Sequence, residues 1–295
     1  MHQPVRILLI ALSVALVAGS PGRGSAEDLQ VGEPSVVTIL GYTDHAMEPF
    51  VSRDGRYLLF NNLNQPPADT DIHYAERRDD VTWIYRGKVE GVNTPALEGC
   101  PTMDRAGTMY FVSPRSYPET LCTIYTGHFA EGVVTDVHLL ESISRKTPGI
   151  VNFDVDVSAD GKTLIIVDSR FEPGAGPRTA ELVIAAWTDG RFERSHSSAT
   201  MLARVNKQGA LQYAPTISAD LLTLFFTRAD PASGQAAPQI YRARRSARDE
   251  PFSEPVHLAG LGEFVEGSAF SANEHLLYYH RKVADKHRIY VVQLP

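Results

Sequence analysis

Polar and apolar positions alternate over short distances along most of the chain, and the apolar runs are rich in β-branched and aromatic residues. No stretch sustains apolar spacing at i, i+3, i+4 and i+7, so helices are not expected. Clusters of Gly, Pro, Asn and Asp punctuate the runs and predict many short strands joined by turns. One such unit, "SADGKTLIIVDSR" from Ser158 to Arg170, is a tight turn feeding an apolar strand that ends in charge.

That unit has counterparts: "VSRDGRYLLFNN" from Val51, "MDRAGTMYFVSPR" from Met103, "ISADLLTLFFTR" from Ile217 and "FSANEHLLYYHRK" from Phe270. Each is followed by a second short strand: "DIHYAER", "CTIYTGHF", "ELVIAAW", "QIYRARR" and "RIYVVQL". Starts recur at about 50 to 60 residues, the period of a four-stranded propeller blade. Asp-Gly in the turn supplies the positive φ that a two-residue hairpin demands. The runs "LLF", "MYFV", "LIIV", "LFF" and "LLYY" are expected to pack between neighbouring blades.

The order strand, Ser-x-Asp-Gly turn, apolar strand, Ile-Tyr strand resembles the TolB-like (WD40-like) β-propeller repeat. Ser52-Arg53-Asp54-Gly55 and Ser158-Ala159-Asp160-Gly161 carry the resemblance best; Ala106-Gly107, Asp220-Leu221 and Asn273-Glu274 are degraded copies. The resemblance implies an all-β β-propeller of four-stranded antiparallel blades, and the five repeats make five blades. The last blade lacks an outer strand, and "SVVTIL", Ser35 to Leu40, is expected to supply it and close the ring.

Composition adds a compartment. Residues 1–26 combine a basic start, the apolar run "ILLIALSVALVAG" and the small-x-small pattern "GSA", which reads as a secretory signal rather than a membrane anchor. The mature domain is then 27–295, exported, and periplasmic if the source is a double-membrane bacterium. Without Arg6 and Arg23 it keeps 26 basic residues against 35 acidic ones. Such an acidic surface excludes nucleic acid and anionic membranes as partners. A monomer with no membrane span after cleavage is expected.

Cys100 and Cys122 fall in the second repeat, and in an oxidising compartment they invite pairing. They sit on strands that flank a middle one, roughly 9 to 10 Å apart, beyond the roughly 7 Å a disulfide tolerates. A disulfide needs the loop "SPRSYPETL" to bend inward; two buried thiols is the alternative.

Antiparallel order brings the start of each first strand and the end of each second strand to one mouth of the central channel. The longest connections, "NLNQPPADT", "DSRFEPGAGPRTA" and "RADPASGQAAP", lie on that same face, where binding residues usually sit. The candidate ligand-binding residues there are His45, Glu48, Glu98, Asp154, Asp168, Arg170, Tyr213, Arg228, Glu266 and His280. Each has a structural alternative. Recurring acids at inner-strand starts can accept amide hydrogen bonds from the next blade, and Arg115, Arg170, Arg228 and Arg281 can pair with acids in a belt. His45 and His280 lack HxH or HExxH spacing, and the turn aspartates lack the ligand density of a calcium loop, so neither a metal nor a cofactor is expected.

Two functions remain open. One is a non-catalytic scaffold that binds an envelope protein or a small polar ligand, the role that the TolB-like resemblance implies. The other is a carbohydrate-active enzyme, a glycoside hydrolase or lyase, using Glu48, Asp154 and Glu266, with Glu98 in reserve. In the lyase form, the rim arginines suit an acidic sugar. Carboxylates left free of arginine in an open funnel favour the enzyme; carboxylates locked to arginine or backbone favour the scaffold.

Overall fold

The chain was analysed as a computed structural model that describes residues 28–66, 69–172, 176–231 and 235–295. The secretory segment expected over 1–26 lies outside the described residues. Three short strands begin the chain: β1 (Leu29–Gln30), β2 (Ser35–Val36) and β3 (Thr38–Leu40). The first repeat forms β4 (Met47–Val51), β5 (Tyr57–Asn61), β6 (Ile72–Arg77) and β7 (Thr82–Lys88). The second forms β8 (Gly99–Met103), β9 (Thr108–Val112), β10 (Ile124–Ala130) and β11 (Val133–Leu139), with helix α1 (Tyr117–Thr120) between β9 and β10.

The third repeat forms β12 (Ile150–Val157), β13 (Thr163–Phe171), β14 (Pro177–Thr188) and β15 (Arg191–Arg194), followed by helix α2 (Ser198–Met201). The fourth forms β16 (Leu211–Ile217), β17 (Thr223–Asp230), β18 (Gln235–Arg244) and β19 (Val256–Ala259). The fifth forms β20 (Val265–Phe270), β21 (Leu276–Val283) and β22 (Lys286–Gln293). Every repeat is an antiparallel meander; the third and fourth merge into one nine-stranded sheet through a single parallel pair, Ala180 with Leu211.

The first strands of the repeats pack side by side: β4 against β8 and β20, β12 against β8 and β16, and β16 against β20. Successive apolar residues leave a strand on opposite faces, so Leu58 and Phe60 pack with Tyr278 and Val291 of the fifth repeat, whereas Leu59 packs with Met109 and Phe111 of the second. Further clusters join the second repeat to the third, the third to the fourth and the fourth to the fifth. The apolar runs therefore pack between sheets, as expected from their spacing. Among the described residues no helix is long and apolar enough to cross a membrane.

Two local expectations need correction. The segment Ser35 to Leu40 is not one strand: Ser35–Val36 pairs antiparallel with Tyr290 and Val291 of β22, but Thr38–Leu40 turns away to pair parallel with β7. Upstream, β1 pairs parallel with β19, so the chain start touches the outer strands of three repeats in succession. Val37 and Ile39 point inward between these sheets, which is why the segment divides where it does.

The turns also differ from two-residue hairpins. Ser52 and Tyr57 form the closing pair across a four-residue loop, and the Gly55 N–H donates to the Ser52 carbonyl at 2.7 Å. Ser52 Oγ donates to Asp54 (2.5 Å) and accepts the Tyr57 N–H (2.9 Å), while Asp54 accepts the Arg56 N–H (3.0 Å). Ser158 and Asp160, and Ser218 and Asp220, repeat this arrangement. The aspartate is thus a cap for turn amides, and the positive φ falls on the next residue, Gly55, Gly161, Leu221 or Glu274.

Candidate functional site

Each inner strand carries a bulge near its start, where two residues face one on the neighbouring strand: between Met47 and Phe50, Gly99 and Thr102, Asn152 and Val155, Tyr213 and Thr216, and Glu266 and Ala269. A bulge re-aims the side chains around it. Here it twists Glu48, Cys100 and Ala214 into left-handed backbone, with φ of 47°, 51° and 47°. All three precede a proline, a position that ordinarily holds extended backbone, so strain is stored around the channel mouth. In the third repeat the bulge sits one residue earlier, which places Asp154 as its second residue.

These bulges assemble a pocket that encloses about 780 Å³ of empty space, solvent at its mouth included. Glu48, Cys100, Asp154, Tyr213 and Glu266 line it, with Met47, Leu97, Phe153, Phe171 and Leu211 as apolar wall. Asn64 and Pro177 come from two of the long connections, on the face expected to carry the site. Beneath, the channel narrows past Pro49, Pro101, Asp156 and Pro215. Arg53 reaches across below this level to the carbonyls of Met103 (3.3 Å) and Val157 (2.6 Å), beside Asp156 at 3.8 Å.

The three carboxylates proposed for chemistry converge here in unlike surroundings. Glu48, 13% exposed, has its carboxyl held well above the ordinary range by burial and by the nearby charges of Asp154 and Glu266. Burial raises Asp154 to about 7, although its Oδ2 accepts the Ala214 N–H at 2.8 Å and the Cys100 thiol lies beside it. Glu266, 19% exposed, behaves oppositely. Burial alone would raise it, but hydrogen bonds from His280 and the Tyr213 hydroxyl hold it below the usual range. Environments that push paired acids apart are how one site holds both a proton donor and an ionised base.

His280 is fully buried. Its Nδ1 accepts the Glu48 backbone N–H at 3.1 Å, so its proton resides on Nε2, 3.2 Å from Glu266 Oε2. The approach depends on Gly267, at φ 60°, where a Cβ would overlap the Glu48 carboxylate and the His280 ring. His287 stacks edge-on against His280 at 5.7 Å and is lowered by burial to about 3. His45 lies behind it, 3.3 Å from His287 Nδ1, and does not line the pocket.

Other expected site residues serve the frame. Glu98 is fully buried and accepts hydrogen bonds from the Thr94 amide (2.9 Å), the Thr94 hydroxyl (2.7 Å) and the Ser113 hydroxyl (2.8 Å). Asp168 is tied to Arg145 at 2.5 Å, to Arg194 and to Asn152. Arg170 is exposed and outside the pocket lining. Of the expected belt of arginines paired to mouth acids, Arg115 lies 3.8 Å from Glu98, and the arginines share a further repeated device. Arg115, Arg228 and Arg281 each donate to a loop carbonyl, of Val92 (3.0 Å), Val205 (2.8 Å) and Leu261 (3.1 Å). Each also lies over a tyrosine of its own sheet: Tyr125 (3.9 Å), Tyr241 (4.8 Å) and Tyr290 (4.0 Å).

Both cysteines are free: Cys122 Sγ donates to the Thr120 carbonyl, and Cys100 Sγ lies 3.5 Å from the Phe153 carbonyl. Cys100, Phe153, Phe171 and His287 were not among the sequence candidates. The signal that could have found Cys100 is the repeated X-Pro of Glu48-Pro49, Cys100-Pro101 and Ala214-Pro215, each four residues ahead of the turn's first residue. Glu48, Cys100 and Asp154 each offer one ligand atom, all within 4.8 Å of one another. Two oxygens and a sulfur form a donor set of zinc type; burial and the charges of Asp154 and Glu48 raise the Cys100 thiol well above its usual value.

No family model matches the sequence, and no curated protein matches it. Solved structures do. A protein described as a glycoside hydrolase superposes with a TM-score of 0.61 at 11% identity, covering 90% of this chain and 92% of its own. The exo-β-1,3-galactanase of Phanerochaete chrysosporium gives 0.55 at 12% identity, covering 91% and 65%. Zg3597, a family 117 glycoside hydrolase of Zobellia galactanivorans, gives 0.54 at 11% identity, covering 88% and 89%. At such identities the likeness is one of fold, and the fold is a β-propeller.

Proposed function

We propose that this chain is an exported, five-bladed, TolB-like β-propeller, closed where β2 joins β22, that hydrolyses glycosidic bonds. The observation that carries the reading is the convergence of Glu48, Asp154 and Glu266, from three repeats, on one pocket where none is paired with an arginine among the described residues. The similarity of fold to glycoside hydrolases agrees with it but does not supply the chemistry. The scaffold role expected from the resemblance has less support, because the acids are neither capped by cations nor all consumed by backbone amides.

Glycoside hydrolysis needs one carboxylic acid to protonate the leaving oxygen and one carboxylate to activate water or attack the anomeric carbon. In this reading Glu48 is the acid: burial and the nearby charges of Asp154 and Glu266 raise its affinity for a proton. Glu266 is the ionised partner, oriented by the Nε2–H of His280 and the hydroxyl of Tyr213. Asp154, held by the Ala214 amide, stabilises positive charge developing on the sugar ring.

The test is release of reducing ends from a panel of plant and algal polysaccharides and aryl glycosides by the mature protein. Glu48→Gln and Glu266→Gln are each expected to reduce turnover by about 10²- to 10⁴-fold without loss of fold. Turnover that survives both substitutions would sink the assignment.

A further inference from the structure

Resting on the glycosidase reading, we propose that the sugar residue bound against Glu48, Asp154 and Glu266 is uncharged, and that the pocket excludes uronates and sulfated sugars. A carboxylate or sulfate is held in proteins chiefly by arginine forks or by lysine. No arginine or lysine is among the described residues that line this pocket.

The reason lies in how the sheets use their arginines. The strand ends deliver Arg115, Arg228 and Arg281 to this end of the molecule, but each is turned outward onto a tyrosine and a loop carbonyl. Arg53, below, is committed to the carbonyls of Met103 and Val157. An anionic substituent would therefore be desolvated beside an ionised Glu266 with no compensating cation, and like charges brought together in this way cost binding heavily.

What the walls do offer suits hydroxyls and C–H faces. Phe171, Leu97 and Leu211 present apolar wall that the C–H face of a sugar ring can meet. Asn64 contributes a neutral amide whose Oδ1 already accepts from Asn61 Nδ2 at 2.9 Å, so its NH₂ is the group left to meet a sugar hydroxyl. This inverts the sequence-based expectation that an arginine-rich rim suits an acidic sugar.

The test uses the mature wild-type protein with matched pairs of 4-methylumbelliferyl glycosides, galactoside against galacturonide and glucoside against glucuronide, together with neutral and sulfated galactan oligosaccharides. Saturation-transfer NMR on the same oligosaccharides reads binding. Turnover of a neutral member exceeding its anionic partner by about a hundredfold or more is expected. Turnover of an anionic member within tenfold of its neutral partner would overturn the charge inference and leave the glycosidase reading standing. If nothing is turned over, the glycosidase reading fails. The charge inference is then read from NMR alone: saturation transfer to neutral oligosaccharides only supports it, and transfer to anionic ones, or to none, overturns it.

Discussion

The imidazole of His280 joins two acids from opposite ends of the chain: its Nδ1 accepts the backbone N–H of Glu48 at 3.1 Å and its Nε2 meets the Glu266 carboxylate at 3.2 Å. A single tautomer serves both contacts, so the ring acts as a fixed spacer between a main chain and a side chain. Replacing it by Ala is expected to lower turnover by about 10²-fold and, by removing a donor to Glu266, to move the acidic limb of the pH–rate profile upward. His280→Gln, which restores one donor, should bring the limb part of the way back. A merely structural defect would lower the rate without moving the limb.

Asp154 gives the protein an unusual stability profile. Its folded value of about 7 lies above the ordinary carboxylate value of 3.8, so between these the folded state binds more protons than the unfolded chain. The contribution of Asp154 to stability therefore falls as pH rises through this window, while buried His287 and His73, lowered to about 3 and about 4, act in the opposite sense. Relative to Asp154→Asn, the melting temperature of the wild-type protein is expected to fall as pH rises from 5 to 8. Calorimetric scans across pH 4–8 measure both; equal slopes in the two proteins would contradict the burial account.

Glu98 and Glu48 are both inner-strand acids, but they should fail differently. Glu98 is enclosed by Thr94 and Ser113, with Arg115 at 3.8 Å. Glu98→Ala strands those donors and is expected to cost about 2–4 kcal/mol, lowering Tm by roughly 5–10 °C. Activity per folded molecule should be unchanged. Denaturant melts and specific activity of the soluble fraction separate the two effects.

The cysteines should be chemically silent. Burial and the neighbouring acids raise the Cys100 thiol well above its usual value, and Cys122 is buried. Iodoacetamide is expected to label neither in the native protein at pH 7.5 and both after unfolding, as read by intact mass. Dithiothreitol should leave Tm unchanged.

Much of the frame was legible because it is periodic. The Ser52 and Ser158 turns and the runs that hold Leu58 and Ile165 recur at one spacing, so each copy corroborated the others. The dividing of Ser35–Leu40 was not legible, since which outer edge takes Thr38 depends on where Val37 and Ile39 pack between the first and fifth sheets. The site was legible as a set of acids but not as a site. Strand order brings Glu98 and Glu48 to the same end, yet only the bulge decides which side chain faces the axis. Likewise Arg115, Arg228 and Arg281 arrive at the mouth as expected, but nearby tyrosines and loop carbonyls turn them outward, and those partners are set by tertiary packing.

The inner-strand bulge separates two kinds of information in this chain. The turn serine and the apolar run recur because every sheet must fold alike, while the position four residues ahead of the turn holds Glu48, Cys100, Asp154, Ala214 and Gly267 in succession. The fold imposes no shared side chain there. Each position is a socket whose occupant can be exchanged without rewriting the hairpin that follows, so the reactivity of the axis can drift while the scaffold stays constant.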